Sequence, residues 1–126
     1  MEFEIEVLDG GAWSKRLKSG DYDLTISSYT LMTGEPNFFF APFMLSNGSM
    51  NQNRSLGYLN KNVDELISKA TVENDKNKRR EMYLQLQEIA KEEGPSVPIY
   101  HDVTLYEVNK KVKDFDIDSS FLLNSL

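Results

Sequence analysis

The chain has 126 residues, which is enough for one domain. Its 14 Lys+Arg against 20 Asp+Glu give a formal net charge of -6, which excludes nucleic acid as a partner because such binders need a basic face. There is no cysteine, so disulfide frameworks, thiolate metal sites and thiol nucleophiles are excluded. No run approaches the roughly 20 apolar residues of a membrane span, and 40% of the residues are hydrophobic. We therefore expect one soluble globular domain.

The N-terminal part of the chain has the pattern of a βαβ unit. Apolar and acidic residues alternate over residues 2–7, which predicts a strand with one solvated face. Asp9 can cap the short helix that follows, and Gly20 is placed to end it. Residues 22–29 have the composition of a second strand. Two strands joined by a helix would form a parallel pair with a right-handed crossover.

Two longer helices are predicted after an irregular segment. Residues 30–59 are rich in Gly, Pro and Asn, with room for a short helix near residues 37–45. Apolar residues then recur at helical spacing over residues 63–70, and Asn62 with Glu65 can form a capping box. A second helix enters near Asp75, and its end is predicted by the following sequence Gly94-Pro95.

Two short strands are predicted after these helices, over residues 97–101 and 104–109. The complete order is βαβ, an irregular segment, two helices and two short strands. This order predicts an α/β or α+β fold. Parallel strands are normally covered on both faces within larger sheets, so the small predicted sheet suggests a piece of something longer.

Most sequence motifs of catalytic, metal-binding and phosphate-binding sites are absent. His101 is the only histidine, which excludes a two-His metal site within one chain. Residues 114–118 imitate the opening of a calcium loop, but serines stand where the turn glycine and the bidentate glutamate are required, so a solvated acidic tail is the better interpretation. Phosphate-binding loops and the GxSxG elbow are also missing. A small hydrolase or lyase that uses carboxylates is the least favoured hypothesis.

The segment that follows the second predicted strand is the candidate binding region. Ligands collect beyond the carboxyl ends of strands in open α/β sheets. Residues 29–40 lie at that place and combine aromatic and apolar side chains with a few polar groups, which suits a small molecule or a peptide. The alternative interpretation is that the phenylalanines of this region are core residues of a short helix: Phe38, Phe39, Phe40 and Phe43.

Six motifs in order along the chain carry a family resemblance. They are Trp13-x3-Leu17-x2-Gly20-Asp21-Tyr22-Asp23-Leu24, Thr33-Gly34-Glu35-Pro36-Asn37-Phe38, Gly57-Tyr58-x-Asn60-x2-Val63-Asp64-Glu65-Leu66-Ile67, Arg80-x2-Tyr83-x3-Gln87-x-Ile89, Pro95-x2-Pro98-Ile99 and Val112-x2-Phe115. Together they resemble the C-terminal lobe of the peptide/nickel-type (family 5) solute-binding proteins of bacterial ABC importers. The resemblance covers essentially the whole chain.

The resemblance implies a fold and a location. The expected fold class is α/β, a partial type II periplasmic-binding-protein-like lobe with a βαβ unit followed by two helices and short strands. Residues 1–126 would be a single C-terminal ligand-binding lobe, a fragment of a longer two-lobe receptor that lacks its N-terminal lobe here. Such receptors are exported, to the periplasm or to a lipid anchor at the outer face of the membrane, and deliver their ligand to an ABC permease. They bind without catalysis, so no catalytic residue and no cofactor is expected.

The family's ligand-contacting segment can be carried onto this sequence. It corresponds to Ser28, Tyr29, Thr30, Thr33, Gly34, Glu35 and Asn37. The Gly-Glu-Pro sequence followed by aromatic residues resembles the nickel-type members more than the large oligopeptide binders. Nickel-type receptors can use a histidine in the loop after this segment, and residues 44–59 contain none, so no metal ligand is predicted. The expected ligand is a short peptide, nickel or a nickel chelate, with a pocket chemistry that fits a peptide or a chelate better than the bare ion.

Two further expectations follow. The same type of lobe could serve as the sensory ligand-binding domain of a transcriptional or signalling regulator, which is the alternative function. An isolated lobe would bind its ligand weakly, and its uncovered sheet edge and interlobe face would favour self-association.

Overall fold

Five α-helices form the regular structure of the chain, as seen in a computed structural model that describes residues 2, 4–31, 34–101, 103, 105–113 and 115. In chain order they are α1 (Gly10–Ser19), α2 (Asn37–Met44), α3 (Ser49–Asn53), α4 (Lys61–Val72) and α5 (Lys76–Glu93). The predicted short helix near residues 37–45 and both longer helices are confirmed.

Local capping residues set the bounds of α1. The Asp9 side chain accepts hydrogen bonds from the backbone N–H groups of Gly11 and Ala12, both at 2.9 Å. Gly20 ends the helix in the left-handed conformation, with φ at 72°, and donates its N–H to the carbonyl of Leu17. Both predicted caps are therefore confirmed.

Side-chain caps also begin α4 and α5. The predicted start of α5 near Asp75 is confirmed, and the Asp75 side chain caps the helix by accepting from the N–H groups of Asn77 and Lys78. The predicted cap of α4 is wrong by two positions, because Asn60 rather than Asn62 accepts from the first free N–H groups. Asn60 and Asn62 are both suitable N-cap residues, so the sequence alone does not predict which of them caps α4.

The core lies where α2, α4 and α5 meet. α4 packs against both α2 and α5, while α2 also contacts α3. The largest fully buried side chains are Met44, Ile67, Leu86 and Val63. The rest of this cluster consists of Phe40, Phe43, Ala70 and Tyr83. The core interpretation of the phenylalanines is thus confirmed for Phe40 and Phe43, while Phe38 is 50% exposed.

The predicted α/β fold is wrong for the part of the chain that the structure describes, which contains helices and no strand. Where the structure describes them, the segments expected to form the two strands of the βαβ unit and the two short strands lie outside every helix and form no strand pairing. Their apolar side chains are uncovered: Ile5 is 86%, Val7 91%, Leu24 75% and Ile26 72% exposed. Alternation marks which side of a strand can be buried, but a strand also needs a neighbour for its N–H and C=O groups. No described segment supplies one.

Some sequence predictions lie outside the described residues. The calcium-like sequence is one of them, since Asp114, Asp116 and Asp118 are not described, and Thr33 of the candidate binding segment is another. Within the described residues, every helix is too short or too polar to cross a bilayer.

Candidate functional site

Tyr29 is held against the first turn of α2 by its hydroxyl and by its ring. The hydroxyl donates a hydrogen bond to the carbonyl oxygen of Phe38 at 2.8 Å. That carbonyl lacks its usual helical donor, because the residue one turn later is Pro42, which has no N–H. The Tyr29 ring meets the Phe43 ring edge-on, with centroids 4.9 Å apart and planes at 89°. A proline within the helix thus creates the acceptor that positions Tyr29.

The chain enters α2 directly after Gly34, at a turn that begins at Glu35. Gly34 has φ at 68°, a conformation that costs glycine little and other residues more. Its N–H donates to the carbonyl of Leu31 at 3.4 Å, and the N–H of Phe38 donates to the carbonyl of Glu35 at 3.0 Å. The N–H of Phe38 therefore bonds to the backbone carbonyl of Glu35, and the C=O of Phe38 accepts from the Tyr29 hydroxyl. This brings the two predicted ligand-contacting residues to the same end of α2.

Glu35 is paired with a cation of the protein itself. Its Oε2 lies 2.6 Å from Nη2 of Arg79 on α5, and both side chains are partly exposed. The hydrogen bond to Glu35 raises the pKa of Arg79, so the guanidinium stays charged. Arg79 also lies over the Tyr83 ring, with Cζ 5.5 Å from the ring centroid. The Glu35 carboxylate is therefore directed toward α5 and compensated by Arg79.

Asn37 connects the same turn to α4. Its Oδ1 accepts a hydrogen bond from the hydroxyl of Thr71 at 3.4 Å. Ser28, Thr30 and Gly34 are exposed. The structure therefore brings Tyr29, Glu35 and Asn37 together at the start of α2 and leaves the two hydroxyl-bearing residues that flank Tyr29 open to solvent.

A second group of side chains, which no sequence pattern predicts, lies beside Tyr29. We call it the Arg54 cluster, and it consists of Trp13, Ser27, Phe43 and Arg54. Arg54 Nη1 donates to the Ser27 hydroxyl at 2.7 Å, and its Cζ lies 5.8 Å from the Trp13 ring centroid and 5.4 Å from that of Phe43. These residues come from four separate parts of the chain, so no local spacing could have predicted them.

The candidate segment lies on an open surface. Two shallow depressions occur elsewhere on the described surface, one along α1 that includes Ala12 and Arg16, and one beside α3 that includes Gln52 and Gly57. Neither contains a residue of the predicted ligand-contacting set. The described residues also contain no group of three His, Asp or Glu side chains that could hold a metal ion. Any ligand enclosed here would need a second surface to cover it.

Most of the chain aligns with one part of several longer bacterial binding proteins. The chain is 33% identical over 107 residues to a di/tripeptide-binding protein 3 of Pseudomonas aeruginosa strain UCBPP-PA14, which covers 85% of this chain and 20% of that protein. It is 28% identical over 118 residues to a dipeptide-binding protein of Escherichia coli K12, covering 94% of this chain and 22% of that protein. A heme-binding protein A of Haemophilus influenzae is 27% identical over 103 residues. No family model matches the chain, and neither does any solved structure.

Proposed function

We propose that the chain, which belongs to the peptide/nickel-type solute-binding proteins, is one ligand-binding lobe of an extracytoplasmic receptor for short peptides. The observation that carries the proposal is the alignment of most of the chain with proteins named for binding dipeptides and tripeptides. The chain spans about a fifth of the length of these relatives, 20% and 22% in the two cited first. A lobe of a larger receptor explains why the candidate surface is open.

The ligand would contact the surface around Tyr29 and the start of α2. The proposed contacts are Ser28, Tyr29, Thr30, Thr33, Gly34, Glu35 and Asn37. Exposed hydroxyl groups at Ser28 and Thr30 offer hydrogen bonds to a peptide backbone. The partly exposed Tyr29 ring offers apolar contact, and it is pre-positioned by Phe38 and Phe43. Binding with no bond made or broken fits this set, so we propose a receptor and not an enzyme.

Partners and location follow from the same proposal. A receptor of this class hands its ligand to an ABC permease and works outside the cytoplasm, either free in the periplasm or lipid-anchored at the outer face of the membrane. One relative, a probable D,D-dipeptide-binding protein of Escherichia coli K12, is named as periplasmic. The remaining surface around the ligand would come from the other lobe of the receptor.

Nickel, a nickel chelate and a sensory role are the alternatives to peptide uptake. The relatives described above are named for peptides and heme, and the described residues contain no acidic or histidine cluster for a metal. We therefore propose the peptide as ligand. Calorimetry with nickel and with a nickel–histidine complex tests the metal alternatives directly, and a DNA-binding or signalling domain in the same reading frame would support the sensory role.

The test of peptide binding uses the full-length protein that contains this chain. Calorimetry with alanyl-phenylalanine should show saturable binding with one site. Replacing Ser28 by Trp should abolish it, because the indole would occupy the proposed contact surface. Ser14, which is exposed on α1, is the matched control, and Ser14→Trp should leave binding unchanged. Absence of binding for a panel of dipeptides and tripeptides, or equal loss in both variants, would contradict the proposal.

A further inference from the structure

Arg79 lies in a basic run at the start of α5, but its environment differs from that of its neighbours. Its Nη2 lies 2.6 Å from Oε2 of Glu35, which belongs to the proposed ligand-contacting set. The other cations of the run, Lys76, Lys78 and Arg80, are exposed and have no carboxylate partner among the described residues. Arg79 is therefore the cation of this run that acts at the proposed ligand surface.

The guanidinium of Arg79 is held against the core of the protein. Its Cζ lies 5.5 Å from the centroid of the Tyr83 ring, a cation–π contact with the residue one turn later. Tyr83 is 5% exposed, and its ring packs against that of Phe40 with centroids 5.8 Å apart. Solvent reaches 34% of the Arg79 side chain and 48% of the Glu35 side chain, so the ion pair is partly shielded. Arg79 thus places a positive charge in a defined position beside Glu35.

Glu35 is close enough to the proposed ligand surface for its charge to act on a bound peptide. The N–H of Phe38 bonds to the Glu35 carbonyl at 3.0 Å, and the C=O of Phe38 accepts from the Tyr29 hydroxyl at 2.8 Å. Glu35 and Tyr29 are therefore tied to the same turn of α2. A lone carboxylate at this place would attract a cationic side chain of the ligand. Arg79 offsets this attraction, because the two opposite charges are in contact.

We propose that Arg79 is a specificity-determining residue: by neutralising Glu35, it prevents the receptor from selecting peptides that carry a cationic side chain. The inference rests on the proposed function and adds a property of the ligand. A peptide with lysine and a peptide with an uncharged residue of similar shape would be accepted alike. An ion pair that only ties α5 to the start of α2 would have no such effect on charge selectivity.

The test compares peptides that differ in one ammonium group, using the full-length protein. Lysyl-alanine and norleucyl-alanine form one pair, and alanyl-lysine and alanyl-norleucine form the other, so that both side-chain positions are sampled. Calorimetry of the wild-type protein should give dissociation constants that agree within about 2-fold in each pair. Arg79→Gln should favour the lysine peptide by about 3- to 10-fold in at least one pair, as expected for a partly exposed charge pair.

Further variants separate the charge of Arg79 from its structural role. Arg79→Lys keeps the positive charge and should keep the wild-type ratio of dissociation constants. The double variant Glu35→Gln with Arg79→Gln removes both charges and should restore that ratio. Glu35→Gln alone leaves Arg79 uncompensated, so it should disfavour the lysine peptide by a similar factor. This last variant tests the inference even where Arg79→Gln fails to fold.

A matched control accounts for the change in net charge. Arg80 is the exposed neighbour of Arg79, and Arg80→Gln alters the formal charge equally, so it should leave the ratio within about 2-fold of the wild type. An unchanged ratio in Arg79→Gln and Glu35→Gln, equal shifts in Arg79→Gln and Arg80→Gln, or a wild-type protein that already prefers lysine peptides would overturn the inference while leaving peptide binding in place. A wild-type protein that binds none of the four peptides would instead overturn the proposed function.

Discussion

Tyr29 and Phe38 are joined by a hydrogen bond that exists because of a third residue. The Tyr29 hydroxyl donates to the Phe38 carbonyl at 2.8 Å, and this carbonyl is available because Pro42, one turn later, cannot donate to it. The hydrogen bond that α2 lacks at Pro42 is thus replaced by one from Tyr29, and this bond holds the Tyr29 side chain, a proposed ligand contact, in place. The relationship is local in sequence and can be tested by removing either partner.

We expect Tyr29→Phe to lower the free energy of unfolding by about 0.5–1.5 kcal/mol, the usual net contribution of one hydrogen bond. Pro42→Ala supplies a backbone N–H that can bond the Phe38 carbonyl. In the Pro42→Ala background, Tyr29→Phe should therefore cost clearly less. Urea unfolding followed by far-ultraviolet circular dichroism measures all four proteins, and an equal cost in both backgrounds would show that Pro42 does not create the acceptor.

Among the described residues, Asn51 should be the polar residue whose replacement lowers stability most. It is 2% exposed, and its Nδ2 donates to the carbonyls of Leu45 and Tyr58 while its Oδ1 accepts from the Tyr58 N–H. Asn51→Ala leaves these backbone groups unpaired, so we expect a loss of about 2–3 kcal/mol in the free energy of unfolding. Asn53→Ala is the control within α3, since Asn53 is exposed and should change stability by less than about 0.5 kcal/mol. Similar losses for both variants would contradict the assignment.

The helices could be predicted from the sequence because their signals are local. Asp9, Gly20 and Asp75 act within a few residues of their own position, and each lies at a helix end that the sequence predicts. The strands could not be predicted reliably, because Ile5 and Ile26 show alternation without revealing what would cover them. Arg54 was missed for a related reason: its partners Ser27 and Trp13 are distant in sequence and meet it only in the folded chain.

Two leucines of α5 test where the core lies. Leu86 is fully buried in the core cluster, whereas Leu84, on the same helix, is 43% exposed. Leu86→Ala should lower the free energy of unfolding by about 2–5 kcal/mol, because it removes buried methyl groups and leaves a cavity. Leu84→Ala should cost less than about 1 kcal/mol. Chemical denaturation measures both, and a reversed order would mean that α5 packs through its other face.

Tyr58 should make the protein less stable at high pH. Partial burial and the negative charge of Glu93 raise the pKa of Tyr58 above its usual value. The folded state therefore holds the phenolic proton more tightly than the unfolded state, so this stabilisation is present below about pH 10 and is lost as the pH rises above it. Tyr58→Phe should reduce the fall in unfolding free energy between pH 8 and pH 10.5. Glu93→Gln should reduce it less, and a fall of the same size in Tyr58→Phe would assign it to other groups.

The uncovered strand-like segments should make the isolated chain associate with itself. Ile5, Val7, Leu24 and Ile26 are more than 70% exposed, and such side chains next to unpaired backbone groups favour contact between copies. We expect sedimentation velocity to show a concentration-dependent increase in mass, and Ile26→Asp to reduce it with no change in helical circular dichroism. Leu59→Asp is the control, because Leu59 is also exposed, at 77%, but lies between α3 and α4. A chain that stays monomeric at high concentration, or equal effects of the two substitutions, would show that these segments do not mediate association.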